Sequence, residues 1–312
     1  CLATARRAPR NGNALDGFAS RAKPVTRRKS DEGVVLINVL VVLAIAGGLM
    51  MLLITSQEAA LDRVSRASDA ATAEQIAMGA EASVVDALRR DLDTGPDTDH
   101  FSEPWARSVI QEEVALATGR FSVGVTDLQA KFDINQLAQV TLGTQEFAKR
   151  LMVALNQPPE TVTQIVRILS VLERVNALDD LASFGVSPVT LDALAPYVTA
   201  LPVAGAINLN AVDPFLLTVM LQNRSQALQL VRLREAQGFL TLDDLATVGA
   251  LRPQNSGFTS NAYLVDVTAQ AGRAEIAMQS LILRRNKLGV KAVEIVQRRF
   301  IYSEPDSSED AR

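Results

Sequence analysis

Cysteine and histidine are almost missing from this chain, which has one of each, Cys1 and His100. A disulfide framework within the chain is therefore impossible. Cys/His metal centres and Cys–His nucleophilic catalysis are close to excluded. An excess of positive charge is missing too. The 31 Lys and Arg against 35 Asp and Glu leave a net charge of -4, with no electrostatic reason to expect a nucleic-acid partner. What remains is 312 residues, enough for two modest domains with cores of their own. Cys1 would suit a lipidated N-terminus; because a spanning segment follows, a displaced translation start is the simpler reading.

That spanning segment is the strongest signal. Val34 to Ile54 reads VVLINVLVVLAIAGGLMMLLI, with Asn38 as its only strongly polar side chain. As a helix it measures about 31 Å, the hydrocarbon thickness of a bilayer. The residues before it carry Arg6, Arg7, Arg10, Arg21, Lys23, Arg27, Arg28 and Lys29 against Asp16, Asp31 and Glu32. The far side opens with Gln57, Glu58 and Asp62 beside Arg63. The positive-inside rule puts the N-terminus in the cytoplasm and the bulk outside it. A cleaved secretory signal would have a shorter apolar core, about 7–15 residues, and a small-x-small cleavage site. This segment has neither.

Beyond the membrane the pattern stays helical to Asp93, with Leu61, Val64, Ala67 and Ala71, then Val84, Val85, Leu88 and Leu92, at helical spacing. Thr94-Gly95-Pro96-Asp97 is the stop. The whole helix would be roughly 85 Å long. Phe121, Val123 and Val125 alternate with polar residues as in a half-buried strand. Tyr263–Gln270 and Ala274–Leu283 flank Ala271-Gly272 as a hairpin, and Val290–Phe300 supplies a third strand. Between these regions lies a helical stretch from about Thr144 to Gly249. It contains a repeat: Leu178-Asp-Asp-Leu-Ala-Ser-Phe-Gly185 recurs as Leu242-Asp-Asp-Leu-Ala-Thr-Val-Gly249. Each copy reads as a short helix with acids in its first turn and a terminal glycine. The tail from Ser303 is acidic and reads as disordered.

Basic residues, then Gly33, then an apolar helix from Val34 resemble the processing site of type IV pilins and type II secretion pseudopilins. The resemblance implies that a prepilin peptidase cuts between Gly33 and Val34 and methylates the new N-terminus at Val34. Many members carry a glutamate at the fifth mature residue, which pairs with a neighbour's terminal amine; here that residue is Asn38. Its lack, with the size of the chain, resembles the K-type minor pseudopilins. Glu103-Pro104-Trp105-Ala106 looks like that family's Pro-Trp-Ala element. Asp127-Leu-Gln-Ala-Lys-Phe-Asp-Ile-Asn-Gln-Leu137 is similar to its D-x-x-G-K-F-N-x-N-x-L segment, departing at Ala130 and Asp133. Ile207-Asn-Leu-Asn-Ala211 is similar to its I-N-x-N-T-A segment, without the threonine.

The fold class expected is α+β: a long N-terminal transmembrane and amphipathic helix packed on a small antiparallel, pilin-like sheet. A large all-α insertion with helix-hairpin-helix-like repeats interrupts the sheet. The organisation expected is a removed leader at 1–33, a transmembrane helix at 34–54 and its periplasmic continuation at 55–93. A pilin-like part at 94–141, the helical insertion at 142–258, the rest of the sheet at 259–302 and a tail at 303–312 follow. The implied role is a minor pseudopilin at the tip of a periplasmic pseudopilus, initiating its assembly for the export of folded proteins. Its implied partners are the I- and J-type minor pseudopilins, the H type as a further one, the prepilin peptidase and the inner-membrane assembly platform. The implied location is a single pass of the inner membrane.

The repeats also resemble helix-hairpin-helix units that grip DNA phosphates, so a membrane-anchored extracytoplasmic DNA-binding protein is the alternative. Phosphate binding needs Lys or Arg near the hairpin glycine. The stretch 177–201 has none, so a packing unit is the preferred reading and no nucleic acid is expected. No enzyme activity and no cofactor are expected. His100 reads as a solvent-exposed loop residue. Asp91, Asp93, Asp97 and Asp99 form an acidic cluster that would suit Ca2+, an ion associated with this family. The cluster lacks an EF-hand's glycine and distal glutamate, and solvated acidity around a turn is the preferred account. Trp105 reads as a core anchor.

Overall fold

The computed structural model describes residues 31–302 except 140, 288 and 289. Leader residues 1–30 and the acidic tail from Ser303 lie outside the described residues. The chain divides into two units, Cys1–Leu61 and Asp62–Arg312. Helix α1 (Asp31–Thr94) contributes to both. In the first unit it is an uninterrupted helix whose side chains from Val35 to Ile54 are all exposed. It is long and apolar enough to cross a membrane. The absence of proline and the abundance of Leu and Ala sustain it.

In the second unit α1 changes character. Ala73, Ala77, Ala80, Val84, Ala87 and Leu88 are buried at intervals of three and four, the spacing that keeps one helix face on a core. The Gly95 amide donates to the Asp91 carbonyl to close the last turn, and Pro96 cannot extend it.

Next come α2 (Pro104–Val109), β1 (Gln111–Leu116), β2 (Gly119–Asp127) and the two-residue β3 (Phe132–Asp133). They are followed by α3 (Leu142–Ala154), α4 (Glu160–Leu172), α5 (Pro188–Leu194), β4 (Val198–Thr199) and β5 (Ile207–Asn208). Then α6 (Pro214–Leu221), α7 (Arg224–Gln237), α8 (Leu242–Thr247) and β6 (Ser256–Gly257) complete the helical part. The chain returns to the sheet with β7 (Ala262–Ala271), β8 (Ala274–Lys287) and β9 (Val290–Tyr302).

The main sheet runs β1-β2-β7-β8-β9, antiparallel throughout. Its inner face meets α1 in one core that includes Ala77, Val84, Leu88, Val265, Val267 and Met278. The long apolar helix and the antiparallel sheet thus appear as expected, with the hairpin turning at Gly272, whose φ of 52° lies in the left-handed region. Strand β1 was not expected. Nearly every side chain on it is exposed, so it shows no alternation to read.

A second core belongs to the helical part and begins with Phe132, Ile134 and Leu137 before gathering residues from α3 to α8. One device is built twice in it. The Asp133 carboxylate accepts from the Asn135 amide, and the Asn135 side chain accepts from the Val175 amide, just before the first Leu-Asp-Asp-Leu copy. Likewise Asn208 accepts from the Asn210 amide, and Asn210 accepts from the Leu240 amide, just before the second copy. The copies are not identical in form, since Leu178–Phe184 is a 3-10 helix and the second copy is α-helical. In both, the third residue caps backwards, Asp180 onto the Ala177 amide and Asp244 onto the Thr241 amide.

Candidate functional site

The cleavage pair expected from the sequence, Gly33 and Val34, lies in the helical backbone of α1, two residues from its start at Asp31. Asn38 is exposed on the same helix. Around it Val35, Leu36, Ile37, Val39 and Leu40 are 49–62% exposed. Twenty residues of apolar surface in water would be untenable, since each large aliphatic side chain left wet forgoes about 1.5–3 kcal/mol. This stretch is therefore a surface made for lipid or for other apolar helices.

In the second unit, the two short motifs meet. Asn208 is fully buried. Its amide donates to the Asp127 carboxylate at 2.9 Å, the Ser260 hydroxyl at 2.9 Å and the Asp99 carbonyl at 3.0 Å. The Ser260 hydroxyl donates to Asp127, and the Ser260 amide donates to Asp99 at 2.7 Å. Burial pushes Asp127 up to about 6, although Ser260, Asn208 and the Gln129 amide all oppose the shift. Asp133 is also pushed to about 6 by burial, opposed by the Leu201 and Asn135 amides.

Beside this network sits a buried acid–arginine centre. Arg284 of β8 is 7% exposed. Its Nη1 pairs with Asp99, with Asp91 at 3.2 Å and with the Tyr263 hydroxyl at 3.2 Å. Against the cost of its own burial, the nearby acidic groups hold Arg284 charged. Glu103 lies against Asp91, and its carboxylate accepts from the His100 amide at 2.7 Å. Burial, with Asp91 beside it, raises Glu103 to about 8.

No family model matches the chain. Across 255 residues, covering 70% of this chain and 76% of the relative, it is 25% identical to the type II secretion system protein K of Pseudomonas aeruginosa. In sequence the chain is thus similar to a K-type protein of type II secretion. Its fold also matches a chain in the crystal structure of the GspK-GspI-GspJ complex from the enterotoxigenic Escherichia coli type 2 secretion system. That match has a TM-score of 0.62 and 19% identity, and covers 77% of this chain and 100% of that one.

The two motif segments thus serve as stitching. Asp127 and Asn208 fasten the helical part to the sheet, and Gln129 spans the same seam by accepting from the Asn261 amide and donating to the Ala206 carbonyl. Trp105 is buried edge-on against Tyr263, with ring centres 5.5 Å apart, as a core anchor should be.

Two sequence expectations need correction. His100 is not a solvent-exposed loop residue: its side chain is 10% exposed and its ring stacks on Phe239 at 4.8 Å. Burial lowers its pKa, against the pull of Asp99 and Asp91. Nor is the acidic cluster evenly solvated. Asp93 and Asp97 face solvent, while Asp91 and Asp99 turn inward onto Arg284. The four aspartates do not converge, and among the described residues no group of three or more His, Cys, Asp or Glu could hold a metal ion. The inward pair does not suit a calcium ion, because the Arg284 guanidinium already pairs with both carboxylates.

The glycine ends of the repeats are also self-contained. The Gly185 and Val186 amides donate to Ala182 and Leu181, and the Gly249 and Ala250 amides to Ala246 and Leu245. Gln164 and Gln226 cap the carbonyls of Phe184 and Gly249. Those four amides are therefore unavailable to a phosphate, and two aspartates open each copy.

The Glu103 proton gives a direct test. An unfolded glutamate titrates near its ordinary 4.5, so the folded protein retains a proton that the unfolded chain releases. The stability this proton confers is complete below about pH 4.5 and declines as pH rises through about 8. Glu103→Gln mimics the neutral acid. Melting temperatures of wild type and variant should agree near pH 4 and separate progressively above it, by several degrees near pH 8, the variant higher. Parallel curves would remove Glu103 from this role.

Proposed function

We propose that this protein is a minor pseudopilin of type II secretion, acting by assembly rather than catalysis. The reading is carried by one observation above all: the exposed apolar stretch of α1 that follows directly on Gly33. Similarity to protein K and the shared motifs support it. The chain sits as a single pass in the inner membrane, N-terminus in the cytoplasm and the sheet and helical parts in the periplasm. Cleavage between Gly33 and Val34 frees the helix to leave lipid for a filament in which other apolar helices cover it.

Asn38 has no charge with which to engage the terminal amine of a subunit above, and an unpaired charge in hydrocarbon would be costly. The subunit therefore needs no neighbour on that side, which favours the tip of the pseudopilus and a role in starting it. The helical part obstructs further stacking there. Partners of the I and J types, with the H type, the prepilin peptidase and the assembly platform, follow from this reading. The relative seen in a GspK-GspI-GspJ complex supports the first two. The DNA-binding alternative is disfavoured by the occupied amides at Gly185 and Gly249.

Co-expression with a prepilin peptidase should shorten the chain by its leader, and N-terminal sequencing should begin at Val34. Gly33→Val should abolish processing, because the side chain blocks the peptidase's access to the bond. A wild-type chain that keeps its leader would sink the proposal.

A further inference from the structure

A cavity of about 310 Å³ opens between α3 and α6 of the helical part. Its floor is apolar: Phe132, Ile207 and Met220 are buried, and the Phe147 ring stands edge-on to Phe132 at 5.1 Å. One cation, Arg150, and one carboxylate, Glu146, also line the cavity. The Arg150 guanidinium has no hydrogen bond or ion pair among the described residues, and its Nε is shielded from water without a partner. By contrast, Arg174, Arg234, Arg284 and Arg298 are all engaged. The natural mate of Arg150 would be Glu146, one turn before it. Lys149 takes that carboxylate at 2.9 Å.

Two rim residues have positive φ. Gln222, with a φ of 53°, is the left-handed C-cap that ends α6, and Asn255, with a φ of 58°, also lies in the left-handed region that asparagine tolerates. Asn255 is pinned by its amide on the Thr144 hydroxyl and by the Ile207 amide on its carbonyl. Gln254 crosses over Gly143 so closely that a Cβ there would lie 1.9 Å from its side-chain oxygen.

We propose that this pocket binds the C-terminal residue of a partner polypeptide, its apolar side chain on the floor and its carboxylate on Arg150. The volume is at the low end for ligand sites, about 300–1,000 Å³, which suits one or two side chains. A lone guanidinium matches a monoanionic carboxylate bidentately, whereas a phosphate dianion calls for more donors. A chain end carries an apolar side chain and a carboxylate on one residue, which is the pair of groups that the floor and Arg150 together call for. This inference stands on the residues of the helical part and does not require the pseudopilin reading.

The test uses the full chain in detergent micelles with 13C-methyl methionine, the Met220 signal being assigned by Met220→Leu. The probes are N-acetyl-glycyl-leucine, its C-terminal amide, and N-acetyl-aspartyl-leucinamide. The free acid should shift the Met220 signal saturably. The simple amide should bind at least about tenfold more weakly, as should the free acid to Arg150→Met, with Arg150→Lys in between. Unchanged signals from the other methionines show that Arg150→Met folds; should it not fold, Phe147→Trp, which fills the cavity, must abolish the shift instead. No shift with the free acid, or equal binding of the amide or by Arg150→Met, overturns the proposal. Tighter binding of the aspartyl amide would overturn the chain-end source.

Discussion

Replacing Arg284 by methionine is expected to cost about 3–5 kcal/mol, the usual penalty for removing one partner of a buried ion pair. Asp91 and Asp99 would remain inside with no cation, and the Tyr263 hydroxyl would lose its donor. For a domain of this size the melting temperature should fall by on the order of 10 °C. The deficit should shrink as the pH is lowered, because burial already pushes Asp99 upward and its protonation removes stranded charge. Arg284→Lys keeps the charge but not the planar fork and should lie between. In the wild type, EDTA should leave the melting temperature unchanged, since the guanidinium supplies the charge that a divalent cation would otherwise bring. Thermal melts of the three proteins over a pH series decide the matter. A pH-independent loss in Arg284→Met would mean that packing, not charge, explains it.

Asn208→Ala is the second substitution with a large expected effect. The side-chain NH2 shares its two hydrogens among three acceptors and the side-chain oxygen accepts one bond, all buried. Each buried group left without its partner costs about 1–3 kcal/mol, and at least about 3 kcal/mol is expected in sum. Asn208→Asp should be worse near pH 8, where a second carboxylate would face Asp127, and should recover below about pH 6 as the pair takes up a proton. The loss should be local in kind: hydrogen exchange should open the seam at residues 99, 127 and 260 before the interior of the main sheet. Uniform loss of protection across the sheet would contradict a seam role for Asn208.

The parts legible in the sequence were those with a strong period. The apolar stretch of α1 announces itself by composition, and β7 and β8 by alternation around a glycine turn. Strands β3 to β6 are two residues each, too short for any period, and β1 buries no face. The acid–arginine centre was illegible for a different reason. Asp99 and Arg284 are 185 positions apart, so four nearby aspartates looked like one solvated group until the fold separated them. His100 was misjudged in the same way, because Phe239 arrives from the far side of the helical part. Arg150 gave no signal on its own. Its lack of a mate becomes visible only once Lys149 is seen to hold Glu146.

Strand β2 ends at Asp127, and that residue pairs directly with Tyr263 at the start of β7. In topological terms, then, everything from residue 128 to residue 261 is the loop of a single hairpin, its two ends about one strand spacing apart. Closing even so long a loop costs only logarithmically more than closing a short one. The helical part is thus a detachable cassette: the sheet would close without it through an ordinary turn, and the cassette can be exchanged or reshaped with little consequence for the strand order beneath.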